Sequence, residues 1–375
     1  MPLYFSDAQQ IPQTHILIIG VGNYPYLKGG RAEIEQRLDF AKKLEQLTSP
    51  PQSAKFFLAE AMDLHKAGAF AKPLGSIEIL TDRGTIPAVE VQEPTLEHIT
   101  EAYFGWKDRC NAHPDNVAVF YFAGHGVGKT EHYLLPSDFG RHYRNPQVDA
   151  FAFDETRAAF HHCKAKTQLF LIDACRLIPT DTLLQDFRPL PIDVFNHVIG
   201  DCSYNLTIKA ASHNQGAYGE KEQPSFFIKA LMRGLKGGAA VNEEDRWTVS
   251  TGDLAKGINK WLAEEKASEN YPQRCNTVIN DSCLLLVLPQ PPEVLLHLSC
   301  NPGEALPHAA FLCEDPNGSG FSRERSPDMV PWEVTVPAGI YRLRASFPEN
   351  QFSASEMYQN LTKPQEKKLF TCQKR

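Results

Sequence analysis

Two apolar runs, each ending on a reactive side chain, constrain the possible folds of this chain more than any other feature. Asn116 to Gly126 reads N-V-A-V-F-Y-F-A-G-H-G and ends by presenting His125. Gln168 to Cys175 reads Q-L-F-L-I-D-A-C and ends by presenting Cys175. Near-continuous apolar runs rich in β-branched and aromatic residues mark strands buried on both faces of a parallel sheet. Ligands and chemistry collect at the carboxyl ends of such strands. A histidine and a cysteine carried side by side to that edge form a nucleophile and its base.

The rest of the first 288 residues carries the same alternation. Strands are predicted at His15–Val21, Ser76–Asp82, Asn116–Ala123, Gln168–Ala174, Asn205–Ser212 and Ser282–Leu288, with a short extra one at His132–Leu135. Helices fall between them. Ala32–Leu47 places Ile34, Leu38, Ala41 and Leu44 on one face, the amphipathic period. Thr95 caps a helix running to about Cys110, Asp154 caps Glu155–Lys164, and Ser225–Lys236 ends at Gly237-Gly238. Thr251–Lys266 aligns Leu254, Ile258, Trp261 and Leu262. The expected fold class is α/β, a mainly parallel six-stranded sheet flanked by helices. The run Pro289-Gln290-Pro291-Pro292 breaks the pattern. Beyond it, short strand-like segments at Val294–Cys300, Ala309–Glu314, Trp332–Val336, Ile340–Phe347 and Lys368–Cys372 alternate with Pro, Gly, Asn and Ser. The expected domains are therefore 1–289 and a small all-β accessory domain, 290–375, for docking or recognition.

Composition narrows the class. A net charge of −7 over 375 residues, with no Lys/Arg-rich block, argues against nucleic acid as a partner. The nine cysteines are scattered, odd in number and without C-x-x-C pairs, as in free thiols of a reducing compartment. No secretory leader is visible at the N-terminus. The longest aliphatic run, Leu284–Leu288, is far too short to span a bilayer, so a cytoplasmic protein without membrane contact is expected. His161-His162-Cys163 looks metal-like, but neighbouring residues on a helix face different ways and no second cluster completes a shell. No metal or cofactor is expected.

These blocks resemble the caspase and metacaspase family of cysteine peptidases over roughly Thr14 to Leu288. The block Ile16–Tyr24, I-L-I-I-G-V-G-N-Y, is similar to the family's first strand and its exit. Tyr121–Gly126, Y-F-A-G-H-G, resembles the histidine block, and Tyr133–Asp138, Y-L-L-P-S-D, follows it as in many bacterial relatives. Ile172–Arg176, I-D-A-C-R, resembles the cysteine block, 50 residues after the histidine, the caspase spacing. Ser225–Leu235 resembles the helix of the small-subunit half. Asp173 and Leu177 depart from the animal-caspase pattern, and an aspartate two before the cysteine is the metacaspase arrangement.

The resemblance implies a role for each residue. Cys175 is the nucleophile and His125 the general base, then the acid for the leaving amine. The amides of Gly126 and Cys175 form the oxyanion hole. No third triad member is evident. Asp173 shares a strand face with Cys175 and lines the pocket for the residue before the cleaved bond. Glu33 falls on the family's second acidic contact, although an exposed glutamate in a first helical turn is the competing reading. Glu220 aligns loosely with the substrate-binding loop. Carboxylates in that pocket select Arg or Lys and reject Asp. The expected function is a cysteine endopeptidase cutting after Arg or Lys, in regulated signalling, cell death or antiphage defence. It would be activated by an upstream protease or by a partner of the C-terminal domain. A catalytically silent scaffold and a peptide ligase remain the alternatives.

Overall fold

The computed structural model describes residues 3–87, 90–128, 131–176, 187–194, 202–211, 217, 219–265, 273–316, 320–363 and 365–375. Two compact units divide the chain. One comprises Met1–Leu235 with Val249–Val287, the other Lys236–Thr248 with Leu288–Arg375.

The first unit is built on a seven-stranded sheet. Its strands are β1 (Leu3–Ser6), β2 (Thr14–Gly20), β3 (Leu74–Thr81), β4 (Val117–Gly124), β5 (Thr167–Ala174), β6 (Tyr204–Lys209) and β7 (Asn276–Ile279). Their order is β1-β3-β2-β4-β5-β6-β7. The five inner strands run parallel, and β1 and β7 pair antiparallel at the two edges. The mainly parallel sheet matches the sequence expectation, but its membership differs. Leu284–Leu288 is a strand, as predicted, yet it lies outside this sheet and exchanges backbone hydrogen bonds with Ala69 and Ala71 instead. The edge place falls to β7. Both edge strands are short and mostly exposed, so their sequences lack the apolar signature of the inner ones.

Among the described residues five α-helices flank the sheet: α1 (Ser49–Lys66), α2 (Leu96–Cys110), α3 (Phe153–Phe160), α4 (Phe226–Arg233) and α5 (Thr251–Glu265). Tyr103 and Trp106 of α2 and Phe160 of α3 pack in one cluster with Leu17, Phe120 and Phe170. Trp106 stacks on Phe160 at 4.5 Å between ring centres. Truncating a buried aromatic of this kind costs roughly 3–5 kcal/mol. On the other face Phe57 of α1, Leu231 of α4 and Leu254 of α5 line an apolar pocket together with Ile16, Val119 and Leu171. The close approach of α1 is fixed at Gly20, where a Cβ would stand 2.6 Å from that of Ala54.

The caps of α2 and α4 are those expected: Thr95 accepts from the His98 amide, and Ser225 from that of Ile228. Three helix expectations need correction. α3 ends at Phe160 rather than Lys164, so His161-His162-Cys163 lie in the turn that follows it. Asp154 does not cap α3; Ala152 holds that place and Asp154 sits in the first turn. No helix forms over Ala32–Leu47, apart from one 3-10 turn at Ala41–Lys43. Leu38 and Ala41 are buried as their periodicity demands. The backbone there is held by side-chain amides rather than a helical ladder. Gln46 brackets Tyr24 from both sides at 2.7 and 2.9 Å, and Gln36 donates to the Tyr26 carbonyl at 3.0 Å. The helix comes later, as α1, with Pro50 and Pro51 in its first turn, where no amide donor is missed.

The second unit is all β, as expected. A three-stranded sheet orders β11-β8-β14, from β8 (Glu293–Asn301), β11 (Trp332–Pro337) and β14 (Gln365–Thr371). A four-stranded sheet orders β10-β9-β12-β13, from β9 (Ala310–Glu314), β10 (Ser322–Arg325), β12 (Gly339–Ser346) and β13 (Ser355–Leu361). Leu296, Leu298, Phe311, Leu343 and Phe370 form its core. Trp247 is buried in the same core, which explains why Lys236–Thr248 joins this unit although it lies far ahead of the proline-rich break.

Candidate active site

The parallel register of β4 with β5 closes on the pair Gly124↔Ala174. His125 and Cys175 are the next residues, so both side chains leave adjacent strands at the same level. Chain order reverses one strand over, between β2 and β4, since β3 lies on the far side of β2; His125 ends β4 and so borders that point. Such a switch point opens a crevice at the carboxyl ends of the strands.

Three contacts fix His125. Its backbone amide donates to the Tyr24 hydroxyl at 2.8 Å, and that hydroxyl donates to the Leu135 carbonyl at 3.1 Å. The Tyr24 and His125 rings pack at 4.7 Å. The imidazole Nε2 lies 2.7 Å from the Glu45 carbonyl. A carbonyl only accepts, so Nε2 carries the proton and Nδ1 keeps the basic lone pair. Burial holds the imidazole pKa down at about 4, partly offset by the Glu45 carbonyl. The ring is therefore neutral at pH 7.

Cys175 is half-buried. Its sulfur accepts from the Ala217 amide at 3.2 Å. Burial pushes the thiol above its ordinary value of 9.0; the Ala217 amide opposes this and the Asp173 charge adds to it. Thiol and imidazole are thus both neutral at pH 7, and the site holds no standing thiolate–imidazolium pair. The alkylation rate of Cys175 by iodoacetamide should therefore climb through pH 9 with no plateau at neutral pH. A plateau reached below pH 7 would contradict this arrangement.

Asp173 is buried near the end of β5, two residues before Cys175, and its charge is felt by the thiol. Its Oδ2 accepts from the Tyr121 hydroxyl at 2.9 Å and from the Ser225 hydroxyl, which also caps α4. Burial raises this carboxyl to about 6, and both hydroxyls pull it back. Glu33 is exposed, and its Oε2 accepts from the Gly29 amide at 2.9 Å in a loop rather than a helix. Glu220 is exposed and lies 3.8 Å from the Lys229 ammonium. Its neighbour Gly219 forms a bridge with Ser225, the partner of Asp173. Leu177, Ser212 to Gly216 and Tyr218 lie outside the described residues, as does Lys266 at the end of α5. Gly126 packs tightly: a Cβ there would meet the Cys175 carbonyl oxygen at 2.7 Å.

The sequence reading missed Tyr24, Ser225, Ala217 and the Glu45 carbonyl as parts of this site. Tyr24 stands in the block after the first strand, where its aromatic hydroxyl is the visible signal. The other contacts depend on backbone atoms or on partners distant in sequence. His161, in the metal-like triplet, has its Nε2 within 3.4 Å of Arg157 and 3.3 Å of Asn205.

The sheet and its carboxyl edge define a class of α/β protein that carries a thiol and an imidazole on the ends of neighbouring strands. The family model described as the caspase domain matches residues 13–282, and the chain belongs to this family of cysteine peptidases. It is 28% identical over 262 residues to the uncharacterized protein y4kE of Sinorhizobium fredii (strain NBRC 101917 / NGR234), covering 65% of this chain and 74% of that one. Protein GSU0716 from Geobacter sulfurreducens, known from a crystal structure, is similar at a TM-score of 0.43 and 14% identity, over 72% of this chain and 93% of that one. Among the described residues no helix is long and apolar enough to cross a membrane.

Proposed function

We propose that this protein is a cysteine endopeptidase that cleaves after Arg or Lys. Cys175 attacks the carbonyl, His125 takes its proton and returns it to the leaving amine, and the Gly126 and Cys175 amides hold the oxyanion. The observation that carries this reading is the register Gly124↔Ala174, which sets His125 beside Cys175. The Glu45 carbonyl serves as the orienting third member that a bare dyad lacks. Asp173 lines the pocket for the residue before the cleaved bond. Two hydroxyls occupy its Oδ2, and we assign Oδ1 to the substrate's cation. Glu33 and Glu220 are assigned auxiliary contacts with the same cation. The setting we attach to this activity, regulated proteolysis in cytoplasmic signalling, cell death or antiphage defence, rests on the family resemblance alone.

The test is a matched set of fluorogenic peptides ending in Arg, Lys or Asp, incubated with the full chain and with Cys175→Ala. Mass measurement of the products separates hydrolysis from ligation. Cleavage after Arg and Lys that Cys175→Ala lacks is expected. Preferential cleavage after Asp would overturn the specificity.

A pocket that selects basic residues bears on self-processing. Arg176 and Arg188 are the only basic residues between Arg176 and Tyr204. Arg176 adjoins the nucleophile. Arg188 precedes Pro189, which is buried, and its amide meets Gln147. The residues on both sides are anchored as well: Phe187 packs against Phe40 at 5.5 Å, and the Leu190 carbonyl accepts from Ala152 at 3.1 Å. Asp193 pairs with Lys107 and accepts from Tyr103. Arg188 itself is exposed, but the described residues on both sides of it are tied down, which makes it a poor site for a cut. Lys221, Lys236 and Arg246 are exposed. The intact chain is therefore expected to be active, with any self-cleavage at those three sites. N-terminal sequencing of fragments decides it; a required cut between Arg176 and Tyr204, lost in Cys175→Ala, would refute the expectation.

A further inference from the structure

Beneath the candidate nucleophile lies a second histidine. His132 is fully buried, and its Nε2 stands 3.0 Å from the carbonyl oxygen of Cys175. The acceptor is a carbonyl, so Nε2 must carry the proton and donate it. The ring Nδ1 has no hydrogen-bond partner among the described residues. His132 precedes the short strand Tyr133–Leu134, which pairs with Gly126–Val127 just after His125. Its backbone amide donates to Asp154 Oδ2 at 3.1 Å. Asp154 Oδ1 in turn holds the Lys209 ammonium at 2.6 Å. Lys209 ends β6, the strand next to β5. A string of partly buried polar contacts thus runs from the end of one strand, through α3 and His132, to the carbonyl of the first residue beyond the next.

We propose that His132 is a positioning residue for Cys175: by pinning the Cys175 carbonyl where the chain leaves the sheet, it sets the direction of the thiol toward His125. Cys175 is the first residue beyond β5, so its carbonyl has left the ladder of sheet hydrogen bonds. Without a donor, the peptide unit after Cys175 is free to turn about ψ, and the Cα–Cβ bond swings with it. Space is closed around this contact as well. A Cβ on Gly126 would stand 2.6 Å from His132 Nε2 and 2.7 Å from the Cys175 oxygen, so glycine is the residue that lets the imidazole reach the carbonyl. Burial, with Lys209 adding to it, holds the His132 pKa down at about 3, so the donor stays a neutral imidazole throughout the working range. A fixed neutral donor suits a scaffold for catalysis and not a proton carrier. Misplacement of a reacting group by about 1 Å can cost on the order of 100-fold in rate.

This inference rests on the peptidase reading above, and the test keeps the two apart. His132→Gln retains a donor amide, whereas His132→Leu has similar bulk and no donor. With active sites counted by an irreversible Arg-terminated chloromethylketone, kcat per site is expected to fall at least ~10-fold in His132→Leu, with KM within about threefold. His132→Gln should recover to within about threefold of wild type. Counting sites removes any misfolded fraction, so a merely structural role would leave kcat per site unchanged. Equal kcat per site in the Leu and Gln variants overturns the proposal. Labelling of Cys175 by iodoacetamide, assisted by His125, should show the same ranking whether or not any peptide is cut. Should wild type cleave no Arg peptide, the peptidase reading fails and the labelling rates still decide the role of His132. Nitrogen-15 NMR of the Cys175→Ala chain, which keeps the carbonyl, gives a readout independent of both variants. A neutral Nε2–H tautomer with a slowly exchanging proton is expected for His132, and an Nδ1–H tautomer there would overturn the proposal.

Discussion

Cys175→Ala is expected to reduce peptide cleavage at least ~10³-fold while leaving the melting temperature within a few degrees of wild type. The methyl group keeps the strand end and removes the sulfur that would form the acyl-enzyme. His125→Ala should lose ~10²–10⁴-fold, because the thiol is not ionised in advance and needs an adjacent base. The two losses should not add in the double variant, since the residues act on one proton. Steady-state rates with an Arg-terminated peptide, alongside thermal melts, measure all three. Near-normal turnover by either folded single variant would remove Cys175 and His125 from the mechanism.

Asp173→Asn is expected to lower kcat/KM for Arg and Lys peptides ~30-fold or more, with much less effect on a peptide carrying a neutral residue at that place. The figure follows from about 2–5 kcal/mol for truncating one partner of a buried charge pair. Asparagine still accepts from Tyr121 and Ser225, so the packing at the strand end is retained. The pH profile carries the same information with a definite sign. Burial lifts the Asp173 pKa to about 6, so the carboxyl gains its proton, and loses its attraction for a cation, as pH falls through that value. kcat/KM for Arg peptides should therefore fall below about pH 6, and this limb should be absent in Asp173→Asn. Histidine protonation cannot supply it, since the His125 pKa is lowered to about 4. A bound guanidinium favours the ionised carboxylate, so the limb in kcat should lie lower still. Unchanged preference for Arg in the folded Asn variant would limit Asp173 to bracing Tyr121 and Ser225. The linkage to stability has the opposite sense: the raised folded-state pKa favours the protonated form, and this contribution diminishes as pH rises from the ordinary 3.8 through about 6.

What was legible in the sequence follows from how each feature is encoded. The inner strands declare themselves because burial on both faces demands unbroken apolar runs, and β2, β3, β4 and β5 are buried at every position. His125 and Cys175 were found because each is the next residue after such a run. The edge strands were missed because β1 and β7 bury little. The segment 32–47 misled because burial of Leu38 and Ala41 leaves the same periodic trace whether the backbone coils or not. Gln36 and Gln46, which decide the matter, are ordinary helix formers in isolation. Pro50-Pro51 disguised α1 in the opposite way, a helix start resembling a helix stop. Within the site, the Glu45 carbonyl leaves no trace in residue identity, since every residue has one. The bond from Ser225 to Asp173 spans 52 residues and depends on how α4 is set against β5.

β6 follows β5 in the chain and also lies against it in the sheet, with six parallel residue pairs between Thr167↔Tyr204 and Ile172↔Lys209. The connection between them carries the anchored stretch 187–194, but the sheet itself is closed by hydrogen bonds rather than by that connection. A break in the peptide backbone anywhere between Cys175 and Tyr204 would therefore give two polypeptides that share one sheet. The first would contribute four inner strands and the second one inner strand, β6, with the edge strand β7, and neither could leave without exposing a buried face. On a denaturing gel such a molecule is two bands; in gel filtration it is one species of unchanged size. Covalent continuity and structural identity are separable at this junction, and the number of chains counted after denaturation says nothing about how many bodies were present before it.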